Sequence, residues 1–88
     1  MKPIKRDRTF EEHFKQRIKP NHRLTHQFKE RLILFMTGER GRPLYDHELT
    51  GKLEGKRAFS VTGEIRVIYV ELGDVIVFLD IGSHNQVY

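Results

Sequence analysis

Five histidines are spread over the 88 residues, and two of them stand apart. His13, His22 and His26 fall in stretches with helical patterning. His47 instead follows "LYD" in a glycine-bounded segment, and His84 follows the last apolar run. Irregular segments on a rigid scaffold are where binding and catalytic groups concentrate. Imidazole titrates near neutrality, so this pair suits acid–base work, although a lone loop histidine can equally be plain surface. Arg66 sits inside the apolar run "IRVIYVEL". It is either a solvent-facing side chain of an antiparallel sheet or a guanidinium fixed by a strand to grip a phosphate. Glu64 opens the same run in the position of a turn carboxylate. Tyr88, the last residue of the sequence, offers a ring able to stack and a hydroxyl able to hydrogen-bond. His22 and His26 have i, i+4 spacing and could share a metal face. They lack an evident third ligand, so no metal site is expected.

The elements that must position these residues are legible from periodicity. "IKRDRTF" alternates like a short first strand. Thr9 and Glu12 have capping-box spacing, and "FEEHFKQRI" places Phe10, Phe14 and Ile18 on one helical face. Pro20 ends that helix. Asn21 caps a second, "HRLTHQFKERLILFMT", with Leu24, Phe28, Leu32 and Phe35 as its stripe, Leu34 and Met36 joining it, and Gly38 as terminator. The short Pro-Asn turn predicts an antiparallel helix hairpin. "GERGRPLYDHELTGKLEG" carries too much glycine and proline for a regular element. Then "RAFSV", "IRVIYVEL" and "VIVFLDI", separated by the turns "TGE" and "GD", predict a three-stranded antiparallel meander. Ile65, Val67 and Tyr69 fall on one face of the middle strand, and Glu64, Arg66 and Ile68 on the other. "VIVFLDI" is apolar at nearly every position and is expected to be central and buried on both sides. The expected fold is α+β, in the order β-α-α-β-β-β, an antiparallel sheet with the helix hairpin on one face.

The length predicts one domain, residues 1–88, with a modest core. The chain has no cysteine, which excludes disulfides and thiolate chemistry and fits a reducing compartment. No apolar run approaches the roughly 18 residues of a membrane span. The N-terminus is too charged for a signal-peptide core. A soluble cytoplasmic protein is expected, with no membrane partner. Net charge is +4, unevenly divided: residues 1–46 hold 12 Lys/Arg against 6 Asp/Glu, and residues 47–88 hold 4 against 6. A basic half of this kind suits a polyanionic or acidic partner, with nucleic acid the first candidate, or simply a solvated helical surface.

Three patterns in residues 43–88 together point to a family: "DH.L.G...G.R" in the loop, "R.IY" on a strand and "IG.H..(V/L)Y" at the C-terminus. The set resembles the RelE/ParE toxin superfamily of bacterial toxin–antitoxin systems, and within it the YafQ-like branch of ribosome-dependent mRNA interferases. The N-terminal helices match in order and length. The resemblance implies catalytic roles for His47 and His84, with Glu64 standing where the YafQ-like active site has an aspartate. Arg66 matches a phosphate-contacting strand arginine, and Tyr88 a terminal aromatic. Two positions depart from the pattern: Ser60 replaces an active-site histidine, and Ile65 a tryptophan.

RNA supplies its own nucleophile, so the implied reaction is metal-independent attack of a ribose 2′-OH on the adjacent phosphorus. His84 would be the acid, His47 or Glu64 the base, Arg66 the phosphate ligand, and Tyr88 would stack on or orient a base. Lys52, Lys56, Arg57 and Ser60 flank this site as RNA contacts. Lys15, Lys19 and Arg23, with the helix-borne Arg17, Lys29 and Arg31, would meet ribosomal RNA phosphates. The implied partners are mRNA in the A site of the 70S ribosome and a cognate antitoxin, with no cofactor. Two alternatives are a ParE-like gyrase inhibitor, which generally lacks this acid–base set, and a non-catalytic basic RNA-binding domain.

Overall fold

The computed structural model describes residues 2–88. Strand β1 (Ile4–Arg6) leads to α1 (Arg8–His13), which continues as a π-helical turn, Phe14–Ile18. After α2 (His22–Met36) come the short strand β2 (His47–Glu48), a 3₁₀ turn (Gly51–Leu53), β3 (Arg57–Ser60), β4 (Ile65–Leu72), β5 (Val75–Ser83) and a terminal turn of helix, α3 (His84–Val87). The five strands form one sheet in the order β1-β5-β4-β3-β2. β3, β4 and β5 are the expected meander, and the expected α+β class holds. Two elements were not foreseen: β2, which pairs antiparallel with β3, and α3. The sheet is also mixed rather than antiparallel, because β1 pairs parallel with β5, Ile4 beside Ile76.

The N-terminal cap differs from expectation. The Asp7 N–H donates to the Phe78 carbonyl at 2.9 Å, so the chain leaves β1 and must turn at once. Asp7 is the residue ahead of α1 and Thr9 lies inside the helix, so Thr9 and Glu12 form no capping box. The other helix signals are realised. The Asn21 side chain accepts from the Leu24 N–H at 3.1 Å. Gly38, at φ +94°, closes α2. Its N–H donates to Phe35 and that of Glu39 to Leu34, which is the paired bonding of a Schellman stop. Met36 points away from the stripe and is half exposed.

Both helices lay aromatic side chains on one face of the sheet. Phe10, Phe28 and Phe35 meet Phe59, Val67, Tyr69, Phe78 and Ile81 in a single core. Phe35 stacks on Phe59 with ring centroids 4.7 Å apart and meets Tyr69 edge-on at 5.0 Å. The expected Val67/Tyr69 face is therefore the core face. β5 is buried on one face and not two: Ile76, Phe78 and Ile81 are in the core, while Val75, Val77 and Leu79 are half-buried. A register shift at Ile68/Tyr69 pairs Phe78 with Tyr69 but Asp80 with Ile68. That bulge admits Leu79 as an extra residue and returns Ile81 to the core side. Beyond the short β1, α1 covers the rest of the β5 edge. Arg17 donates to the Ile81 carbonyl at 2.9 Å, and His13 Nδ1 lies 2.6 Å from Asp80. Covering an edge this way prevents pairing with another chain.

Candidate active site

The face of β4 opposite the helices carries Arg66, as alternation requires. A cleft of about 480 Å³ opens there, lined by His47, Lys52, Leu53, Arg66, His84 and Tyr88 among others. Three segments far apart in sequence thus meet at one place. β2 brings His47, β4 brings Arg66, and α3 with its C-cap brings His84 and Tyr88.

His47, His84 and Tyr88 are oriented by definite contacts, and Arg66 by its strand. His47 Nδ1 lies 2.9 Å from the Tyr45 carbonyl oxygen, which can only accept, so Nδ1 carries the proton in this bond. The neutral ring then presents Nε2 as a proton acceptor. Beside it, the Asp46 side chain is fully buried and anchors the loop. It accepts from Arg57 Nε at 2.8 Å and from the Tyr69 hydroxyl in a very short bond. Burial, and then the bond to Asp46, push the Tyr69 hydroxyl well above the usual tyrosine range. Arg66 Nη1 is buried and has no hydrogen-bond partner. A buried unpaired cationic donor is costly, so its position calls for an anion.

α3 keeps the chain end in place. The Gln86 side chain accepts from the Ser83 N–H at 2.8 Å, forming a capping box with Ser83. The His84 and Tyr88 rings meet edge-to-face, with centroids 4.4 Å apart. Burial raises the Tyr88 hydroxyl pKa, and the nearby Arg66 charge opposes that rise. Gly82 lies within β5, and its role is one of space. A Cβ there would sit 2.6 Å from Arg17 Nη1 and 2.8 Å from Gln86 Oε1.

The remaining sequence-derived candidates divide. Lys52 lines the cleft, and Ser60 lines an adjoining one that shares His47 and Arg66. Glu64 sits exposed on the β3–β4 turn and lines neither cleft. Arg57 is committed to Asp46 and to Glu48, 3.4 Å away, and its neighbour Lys56 lines neither cleft. Lys15 and Lys19 border a separate groove between the helices, and Arg23 is exposed on the first turn of α2. Among the described residues no group of three His, Asp or Glu side chains could hold a metal, and His26 lies 3.6 Å from Glu30. Two residues were not singled out for the site from sequence: Asp46, whose burial depends on partners distant in the chain, and Tyr45, an exposed aromatic at φ +48°.

The family described as the bacterial toxin of type II toxin–antitoxin systems, YafQ, matches residues 2–88. No curated protein matches the chain significantly by sequence. Among solved structures, YafQ from E. coli strain BL21(DE3) superposes with a TM-score of 0.83 at 19% identity, covering 100% of this chain and 99% of that one. A copper-bound mutant toxin from Helicobacter pylori gives 0.83 at 21% identity, with both chains fully covered. The E. coli DinJ–YafQ complex gives 0.81 at 20%, covering 100% of this chain and 99% of that one. At these identities the structures share a fold, while the family match spans nearly the whole sequence. The chain belongs to the YafQ family of bacterial type II toxins.

Proposed function

We propose that this toxin is an mRNA endoribonuclease that cuts in the ribosomal A site. The observation that carries the reading is the convergence of His47, Arg66, His84 and Tyr88 on one cleft, with an unpartnered guanidinium nitrogen at its wall. In the reaction, His47 Nε2 takes the proton of the ribose 2′-OH as that oxygen attacks phosphorus. The 5′-oxygen leaves with a proton from His84, and the products are a 2′,3′-cyclic phosphate and a 5′-OH. Arg66 bears the charge that builds on the non-bridging oxygens. Tyr88 orients His84 through ring contact and offers a neutral hydroxyl or a stacking face to the RNA. Of the two candidate bases, His47 is favoured over Glu64 because His47 lines the cleft and Glu64 does not. The basic helix residues Lys15, Lys19 and Arg23 contact ribosomal RNA. A cognate antitoxin neutralises the protein, as the existence of a DinJ–YafQ complex suggests by analogy.

The test is expression of His84→Ala and Arg66→Ala without antitoxin. Both are expected to relieve growth arrest and to abolish mRNA cleavage on ribosomes. Wild-type cleavage by both variants would refute the assignment.

A further inference from the structure

A second cleft of about 370 Å³ adjoins the first and shares His47 and Arg66 as its wall. Its far side is built from Arg31 of α2, Tyr45 of the loop and the β3–β4 turn. Three observations there are unexplained by the proposed catalytic step. Arg31 Nε is buried with no hydrogen-bond partner, like Arg66 Nη1. Two guanidinium groups thus border one cleft with buried donors lacking acceptors, a state that native proteins rarely leave unresolved. Tyr45 is 58% exposed although aromatic. Its backbone is in the left-handed region, φ +48°, which a bulky residue adopts only when its surroundings hold it there.

We propose that this second cleft is a nucleotide subsite, which holds the RNA residue one step beyond the pair joined by the scissile phosphate, linked to that pair by a second phosphodiester. Arg31 takes the second phosphate and the Tyr45 ring stacks on the base. The inference rests on the nuclease reading for which strand enters. The ligand class, however, follows from the cleft itself: an anion acceptor for Arg31 and a flat apolar face for Tyr45, beside the Arg66 that both clefts share. A free phosphate would satisfy Arg31 and leave Tyr45 without a role. Tyr45 also holds His47 through its carbonyl. Filling the subsite therefore steadies the loop that carries the base.

The test is NMR titration of the 10.5 kDa protein with non-cleavable 2′-deoxy oligonucleotides. The probes are a dinucleotide with one phosphodiester, a trinucleotide with two, and inorganic phosphate. Base stacking on an aromatic ring is worth on the order of tenfold in affinity or more. The trinucleotide is therefore expected to bind about tenfold tighter than the dinucleotide and to shift the Tyr45 ring and Arg31 side-chain signals. Arg31→Gln and Tyr45→Asn, the latter a residue that tolerates positive φ, should each remove most of that gain and leave dinucleotide affinity unchanged. Equal binding of the two oligonucleotides by wild type, or a gain that survives both substitutions, overturns the subsite. So does phosphate alone reproducing the trinucleotide shifts. Because binding is read without cleavage, a failed subsite leaves the His84→Ala cleavage test standing, and a failed cleavage test leaves this titration interpretable.

Discussion

His47 and His84 differ in what holds them, and this separates their roles. His47 has its Nδ1 proton tied to a backbone carbonyl, which leaves Nε2 to accept. His84 is exposed and in ring contact with Tyr88, an arrangement compatible with the acid role proposed for it. General acid–base groups contribute about 10²–10⁴-fold, so single-turnover cleavage by His84→Ala should fall within that range. Arg66→Ala should cost on the order of 10²–10³-fold. Tyr88→Phe keeps the ring contact and should retain much more activity than Tyr88→Ala; equal loss in both would assign the role to the hydroxyl. At this scale the sequence was informative where chemistry and alternation agree. Arg66 had to face away from Val67 and Tyr69, and it does. Alternation put Glu64 on the Arg66 face, but β4 begins only at Ile65, so Glu64 lies on the turn, where alternation no longer fixes a side chain. Arg57 was read as an RNA contact because its partner Asp46 lies 11 residues away, beyond any local pattern.

Elements decide whether those residues meet. Gly82 is tightly packed, since Arg17 of the π-helical turn and Gln86 of α3 both press on it. Gly82→Ala forces Arg17 off the Ile81 carbonyl or shifts Gln86 and with it α3. Overpacking of this kind costs about 1–3 kcal/mol, measurable as a lower urea midpoint, and activity should fall as α3 moves. An unchanged midpoint would mean that Arg17 yields freely. The loop has its own anchor in Asp46. Asp46→Ala leaves the Tyr69 hydroxyl and Arg57 without their acceptor, at a cost of about 1–3 kcal/mol, and loosens the segment that carries His47. Deleting Val87 and Tyr88 should leave the unfolding midpoint nearly intact and cripple cleavage. The helices were legible through their caps and stripes, and the meander through its turns. β2 and α3 were not, because two and four residues are too few to set a period. β1 was legible as a strand, but its parallel pairing was not, because its partner lies at the far end of the sequence.

For the molecule as a whole, charge and proton uptake make separate predictions. The basic residues of the N-terminal half do not surround the cleft. Lys15, Lys19 and Lys29 border the groove between the helices, on a different surface. Neutralising Lys15, Lys19 and Arg23 together should weaken ribosome association, reduce its salt dependence, and leave the cleavage rate at saturation unchanged. A slope that does not change would make those residues a solvated surface. Stability should also fall in alkali. Tyr69 and Tyr88 both have hydroxyl pKa values raised by folding, chiefly through burial. Between the ordinary tyrosine pKa of 10.0 and the folded values, the unfolded chain binds fewer protons than the native one. The contribution is therefore fully present below about pH 10 and is lost as pH rises above it. Urea titrations at pH 8 and above 10 would measure this.

The central claim is that the cleft between the His47 loop and α3 performs transesterification of RNA. Its most direct test is the chemistry of the cut ends when purified wild-type protein acts on programmed ribosomes, with His84→Ala run beside it. Wild type is predicted to leave a 2′,3′-cyclic phosphate and a 5′-OH, and His84→Ala to leave the transcript whole on the same timescale. A 5′-phosphate at the cut, or undiminished cutting by His84→Ala, would contradict the account.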